Sequence, residues 1–249
     1  MHELADGLWI AEARLRFLGL ELGARMTVVR LAGGELLLHS PVAATEELVR
    51  QVGALGRVAH LVAPNRFHHL FVGDWRRRYP DAAIHVAPGL ERKRGDLPIS
   101  SLLGSIPDPA WADVLDQVAL AGIPTTNEVV FFHRSSSTLI ASDLAFQIGP
   151  ESPALTRAAF RAMGAYGCLC PTPLERLLVR DRAAFRGSLE RILVWPIERV
   201  VVAHGAVCES DGRARLARGY DWILGRGDDR ASRQALRSPG QPDSRRDER

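Results

Sequence analysis

Up to residue 90 the chain alternates short apolar runs with turn residues, a pattern that predicts strands followed by strand–helix units. GLWIAEA (7–13) reads as a strand. ARMTVVRLAGGELLLHSPV (24–42) reads as a hairpin turning at Ala32-Gly33-Gly34. In AATEELVRQVGALG (43–56), Leu48, Val52 and Leu55 share one helical face and Gly56 stops the helix. RVAHLVAP (57–64) is a buried strand, LFVGDWRRRY (70–79) a helix ended by Pro80, and AAIHVAPG (82–89) another strand.

From 90 to 125 the pattern is less regular, and Pro98, Pro107, Pro109 and Pro124 break any long element. NEVVFFHRSSSTLIASDLAF (127–146) is a clear hairpin, two apolar runs around HRSSS. SPALTRAAFRAMGAYG (152–167) and LVRDRAAFRGSLERILVW (178–195) read as helices, the second with Asp181 as its N-cap. ERVVVAHGAV (198–207) is a last buried strand and RARLARGYDWIL (213–224) a final helix. Two rounds of strands followed by helices predict a layered α/β sandwich in two similar halves. Residues 225–249 are charged and nearly free of large apolar side chains, so they cannot offset their own ordering entropy and are expected to form a disordered tail.

With 249 residues, 46% hydrophobic and 24% charged, the composition is that of an ordinary globular protein. A net charge of +3, carried almost wholly by arginine with Lys93 the lone lysine, excludes a specific nucleic-acid-binding profile. No run approaches the roughly 20 apolar residues of a membrane helix, and the N-terminus lacks a signal-peptide pattern. Three cysteines argue against a disulfide framework; Cys168-x-Cys170 reads as buried thiols, with a redox or soft-metal element as the alternative. The expectation is a soluble cytoplasmic protein.

Three apolar runs end in residues of metal-ligand type: VAPNRFHH with His68 and His69, TLIASD with Asp143, and VVVAHG with His204. Strand ends are where an α/β sheet builds its sites. His39 ends another strand, in ELLLHSPV. His60 and His85 lie within strands as core or face residues, His133 lies at the far turn of the hairpin, and His2 is terminal and expected to be mobile.

In this order the motifs resemble the metallo-β-lactamase fold superfamily: a histidine cluster after an early strand, Asp after a hairpin, His-Gly after a late strand. NRFHHLFVGDW, NEVVFFHRSSSTLIASDLAF and VVVAHG together resemble more closely its DUF4336 branch, over about residues 3–224. The resemblance implies a four-layer αββα sandwich of α/β (α+β) class spanning residues 1–224. It also shows what is missing. The superfamily motif is His-x-His-x-Asp-His; with His68-His69 as its last two residues, Pro64 and Arg66 replace the earlier histidines. A shift by one brings in Asn65 and Phe67 instead. GIPTTNE (122–128) carries no histidine where the superfamily has its next one.

The remaining candidates are His68, His69, Asp143 and His204, enough for a single zinc or iron ion, with Asp143 also the candidate catalytic group. Adjacent side chains diverge by about 100° on a helix, so both histidines can bind one ion only from a loop or a distorted first turn. His39, Asn65 and Arg66 are candidates to support the site or contact substrate, Arg66 by pairing with an anionic substrate or with an internal acid. The function this implies is a metal-dependent hydrolase with a degraded, mononuclear site and an unidentified small-molecule substrate. The alternative is a non-catalytic protein of the same fold that binds a ligand or partner and holds no metal. The superfamily's di-iron redox chemistry needs ligands absent here. Removing residues 226–249 is expected to change unfolding free energy by less than about 0.5 kcal/mol; denaturant titration of the two chains measures it.

Overall fold

The computed structural model describes residues 1–225; the predicted tail lies outside them, apart from Gly225. The chain begins with β1 (His2–Ala5), β2 (Leu8–Ala13) and a small ribbon of β3 (Arg16–Phe17) and β4 (Leu20–Glu21). There follow β5 (Ala24–Arg30), β6 (Leu36–His39), α1 (Glu46–Gly53), β7 (Val58–Ala63), α2 (Val72–Arg78), β8 (Ala83–Val86), α3 (Leu90–Lys93) and β9 (Ile99–Leu102). The second half comprises β10 (Leu115–Ala119), β11 (Val129–His133), β12 (Thr138–Ile140), α4 (Ala154–Ala162), α5 (Pro173–Leu178), α6 (Arg182–Ile192), β13 (Arg199–Val201), α7 (Gly212–Gly219) and α8 (Asp221–Leu224).

Among the described residues the strands form a seven-stranded sheet, β1-β2-β5-β6-β7-β8-β9, a four-stranded sheet, β10-β11-β12-β13, and the β3–β4 ribbon. The large sheet is antiparallel as far as β6 and parallel from β6 to β9; the small one ends in the parallel pair β12–β13. The two halves therefore differ in strand number, against the expectation of similar halves.

The period of two along each strand sorts side chains between layers. Val28, Leu36, Leu38 and Leu61 face outward beneath α1 and α2, in one core with Val52 and Trp75. Their neighbours Val29, Leu37 and Val62 face inward and meet Val129, Phe131 and Ile140 of the small sheet. Val130, Phe132 and Leu139 point the other way, into a third core with Phe185, Leu189 and Leu216 of α6 and α7. Helix, sheet, sheet, helix is thus the layer order, as the motifs implied.

Several expectations are corrected. The irregular stretch after residue 90 holds two strands: β9 closes the edge of the large sheet, and β10 pairs along its whole length with β11. Their short, polar-interrupted sequences hide the pattern, and the pairing supplies the order. His2 is not loose but sits in β1 opposite Ile10. The final helix divides at Tyr220, whose buried hydroxyl donates to the Leu144 carbonyl. Cys168 and Cys170 are joined as a disulfide, two residues apart, rather than standing as separate thiols; the backbone bridge between Phe146 and Cys170 brings that turn against the fourth small core.

His60 and His85 do pack inside, on adjacent strands. His60 Nδ1 lies 3.0 Å from His85 Nε2, His85 Nδ1 bonds Ser101 Oγ at 2.8 Å, and Trp111 stands edge-on to His85. Burial, and then His60, lower His85 to about 4, with Asp108 pulling weakly the other way. In the unfolded chain the same imidazole takes up a proton near pH 6.5. Its stabilising contribution is therefore full above about pH 6.5 and is lost as the pH falls from there toward 4. Between pH 7 and pH 5 the His85→Gln variant should lose about 1–2 kcal/mol less unfolding free energy than the parent chain; equal losses would show that His85 does not stay neutral.

Candidate metal centre

The strand ends place the site. β7 delivers the loop that begins at Pro64, β12 delivers Asp143, and β13 delivers His204. His68, Asp143 and His204 each present a ligand atom, all within 4.8 Å of one another. His68 Nε2 is 3.3 Å and His204 Nε2 3.4 Å from the same oxygen, Asp143 Oδ1.

Every outer atom of the three is already committed. His204 Nδ1 donates to the Gly23 carbonyl at 2.7 Å, and its ring stacks on Phe146. His68 Nδ1 is hydrogen-bonded to Ser40 Oγ at 2.7 Å. Asn65 Nδ2 donates to Asp143 Oδ2 at 2.8 Å. These bonds aim both Nε2 atoms and Oδ1 inward, as outer partners do for metal ligands. The separations fit an ion as well. Donors held 2.0–2.1 Å from a tetrahedral zinc stand about 3.3 Å apart, whereas a charged N–H donating to a carboxylate closes to about 2.7–2.9 Å. The donor set fits one zinc or iron ion with coordination positions left open.

The loop's geometry explains why the doublet divides. Asn65, fully buried, accepts hydrogen bonds through Oδ1 from the backbone N–H of both Phe67 and His68, at 2.8 Å each. The turn it caps sends His68 into the cluster. His69 is corrected: its ring turns to Arg94, with Nδ1 3.0 Å from Arg94 Nη1, and the same guanidinium donates to the His69 carbonyl. Burial, then Lys93 and Arg94, lower His69 to about 4. Arg66 is corrected too. It reaches away from the cluster to donate to the Pro124 carbonyl at 3.1 Å, and it lines an open surface depression beside Gly89 instead. His39 lies between the sheets, edge-on to Phe131; burial, then His68, push it down to about 3. It supports the floor and stands outside the ligand cluster.

Three residues of the site escaped the sequence analysis. Glu128, fully buried, accepts from the backbone N–H of Ser142 at 2.5 Å and of Asp143 at 2.9 Å, which fixes the turn after β12. Burial, and then the charge on Asp143, push Glu128 up to about 8. Asp143 itself is held well below the usual carboxylate range; burial opposes its charge, and His68 and His204 outweigh burial. Arg25, buried on the inward face of β5, donates to the carbonyls of Val202 and, at 2.7 Å, Gly205, and pairs with Glu12. Ser40 orients His68. A lone acid before an apolar run, or a lone arginine inside one, was the sole trace of Glu128 and Arg25.

The cluster sits on a metallo-β-lactamase fold. The solved metallo-beta-lactamase from Pontibacter korlensis superposes with a TM-score of 0.62 at 14% identity, covering 90% of this chain and 98% of that one. A metallo beta lactamase from Hirschia baltica gives 0.60 at 13%, covering 90% and 96%. The metal-soaked Flv1 flavodiiron core from Synechocystis gives 0.63 at 12%, covering 90% of this chain and 60% of that one. The family model for the domain of unknown function DUF4336 matches residues 5–166, and the chain belongs to that family. The matched span contains His68 and Asp143 and ends before His204. No curated protein matches the chain.

Gly205, next to His204, cannot carry a side chain. Its φ is +85°, and a Cβ would stand 2.1 Å from the Gln147 carbonyl oxygen, where the two backbones cross. Gly205→Ala should cost about 3 kcal/mol or more, from left-handed strain plus backbone displacement. Thermal melting checks it, and an unchanged midpoint would mean the crossing has slack.

Proposed function

We propose that the protein is a metal-dependent hydrolase working with a single zinc or iron ion held by His68, Asp143 and His204. The observation that carries this reading is the convergence of two Nε2 atoms on Asp143 Oδ1 at ligand-edge distances, with every outer atom already bonded. When bound, such an ion supplies Lewis acidity: it polarises a carbonyl or phosphoryl oxygen and brings the acidity of water toward neutrality. Asp143, kept ionised by its two imidazoles, orients the attacking water. Asn65 holds the far oxygen of Asp143 so that Oδ1 stays at the reacting side. His68 and His204 bond Ser40 Oγ and the Gly23 carbonyl through Nδ1, so both Nε2 atoms face the site, where they would hold the ion.

One observation favours a second reading. Pro64 and Arg66, or in the alignment shifted by one Asn65 and Phe67, stand where the superfamily motif has ligands, so the fold would persist as a ligand- or partner-binding protein without catalysis. The fold alone does not separate these readings, because function lives in the site.

Metal analysis separates them. Protein purified without chelator or affinity tag should carry zinc or iron, melt lower in excess chelator, and recover when either ion is returned. At a free ion concentration 100 times Kd the ion contributes about 2.7 kcal/mol. Asp143→Ala and His204→Ala should each abolish the chelator response. Protein with less than about a tenth of an equivalent of any transition metal, and no melting shift on adding zinc, iron or manganese, would leave the binding reading in its place.

A further inference from the structure

Above the cluster lies a cavity of about 380 Å³. Its polar lining includes the cluster residues His68, Asp143 and His204, together with Ser40, His69 and Thr126. Most of the remaining wall is apolar and includes Leu22, Val42, Phe71, Phe146 and Leu178, interrupted by Arg16, Lys93 and Glu175. Four large apolar side chains also stand exposed along its lining. Phe17 is 56%, Phe67 48%, Leu70 60% and Leu174 50% exposed, although each lines the same cavity. These four come from three separate segments: the β3–β4 ribbon, the loop after β7, and α5. Large apolar side chains left in water around one opening mark a binding site, and a mostly apolar cleft with a few convergent polar groups is the usual form of a small-molecule pocket.

The charges narrow the ligand further. Of the basic side chains, Arg16 and Lys93 line the cavity. Arg16 is exposed and lies 3.7 Å from Glu21, and Lys93 donates to the Arg66 carbonyl. The buried Arg25 is engaged by Val202, Gly205 and Glu12. The lining acid other than Asp143 is Glu175, which caps α5 through the Thr172 backbone N–H at 3.0 Å. No side-chain hydrogen bond or ion pair among the described residues carries Arg16 or Lys93 to His68, Asp143 or His204. A neutral reacting group with an aliphatic body matches the mostly apolar lining and needs no cationic side chain at the cluster.

We propose, resting on the hydrolase reading above, that the substrate is a neutral carboxylic ester with a medium-length aliphatic acyl chain. The carbonyl sits at the His68–Asp143–His204 cluster and the chain lies along the apolar wall toward Leu174 and Phe17. The oxygen of water adds to the carbonyl carbon, the bond from that carbon to the alkoxy oxygen breaks, and a proton from the water passes to the leaving alkoxide. The products are the carboxylic acid and the alcohol. A thioester of the same acid shares this recognition and differs in the leaving atom.

The test pairs hydrolysis with binding. Metal-loaded protein is assayed on p-nitrophenyl acetate, butyrate, octanoate and dodecanoate, on the octanoyl thioester of a short thiol, and on p-nitrophenyl phosphate. Binding of 2-alkanones of matching lengths, which keep the carbonyl and cannot be hydrolysed, is measured by calorimetry with and without chelator. Each methylene that enters the wall should tighten 2-alkanone binding, and raise kcat/KM, about three- to fourfold until the cavity is full. Leu174→Glu, at a half-exposed position, should flatten both slopes. A thioester turned over faster than the matching oxygen ester would retain the acyl chain and overturn the ester assignment. Chain-length-dependent binding with no hydrolysis would retain the aliphatic ligand and remove the hydrolase reading. Hydrolysis without any dependence on chain length, or phosphate turned over faster than every ester, would overturn the substrate class while leaving a hydrolase.

Discussion

Asn65 ties the two sheets together at the point where the cluster forms. Its carboxamide accepts from two successive backbone amides in the loop after β7 and donates to a carboxylate delivered by β12. Backbone bonds reinforce the join: Val129 donates to the Pro64 carbonyl and Arg66 to the Thr126 carbonyl. The direction of His68 therefore depends on the same side chain that holds Asp143. A buried amide left without those partners would cost roughly 1–3 kcal/mol, so the site and the contact between the layers are one construction.

Charge sets the second constraint. Asp143 and Glu128 are two carboxyls held at one turn, Glu128 fully buried and Asp143 facing the cavity. They tolerate each other because their surroundings differ. Asp143 has two imidazoles at its face and stays ionised; Glu128 has backbone amides and is pushed toward its neutral form by burial and by Asp143. Buried charge persists where it is paired, and here the pairing is asymmetric. Arg25 plays the matching role for β13. It reaches across from the large sheet to the carbonyls around His204, while Gly205 lets the backbone pass close to Gln147. The cavity opens beside these polar bonds, with His68, Asp143 and His204 in a mostly apolar lining.

Much of the fold was legible in the chain. The hairpin at Ala32-Gly33-Gly34, the helix after Thr45, the hairpin around HRSSS, and Asp181 as a cap are local patterns, and the structure contains each of them. The two strands after residue 90 were not legible. Ser100, Ser101 and Asp116 interrupt their apolar positions, and pairing with β8 and β11 makes them strands. The Cys168–Cys170 bond was likewise a matter of how one turn is folded.

The sequence by itself determined where ligand-type residues stand, at the ends of three apolar runs, because strand length and alternation are written in nearest neighbours. Only the tertiary structure decided which of them meet. His68 and Asp143 are 75 residues apart, and the bond that orients His204 spans 181. Neighbouring His68 and His69 are equivalent in the sequence, yet Asn65 turns one inward and Arg94 draws the other aside. Arg66 beside them is taken by Pro124. Side-chain direction depends on partners brought close by folding, and no local pattern records those partners.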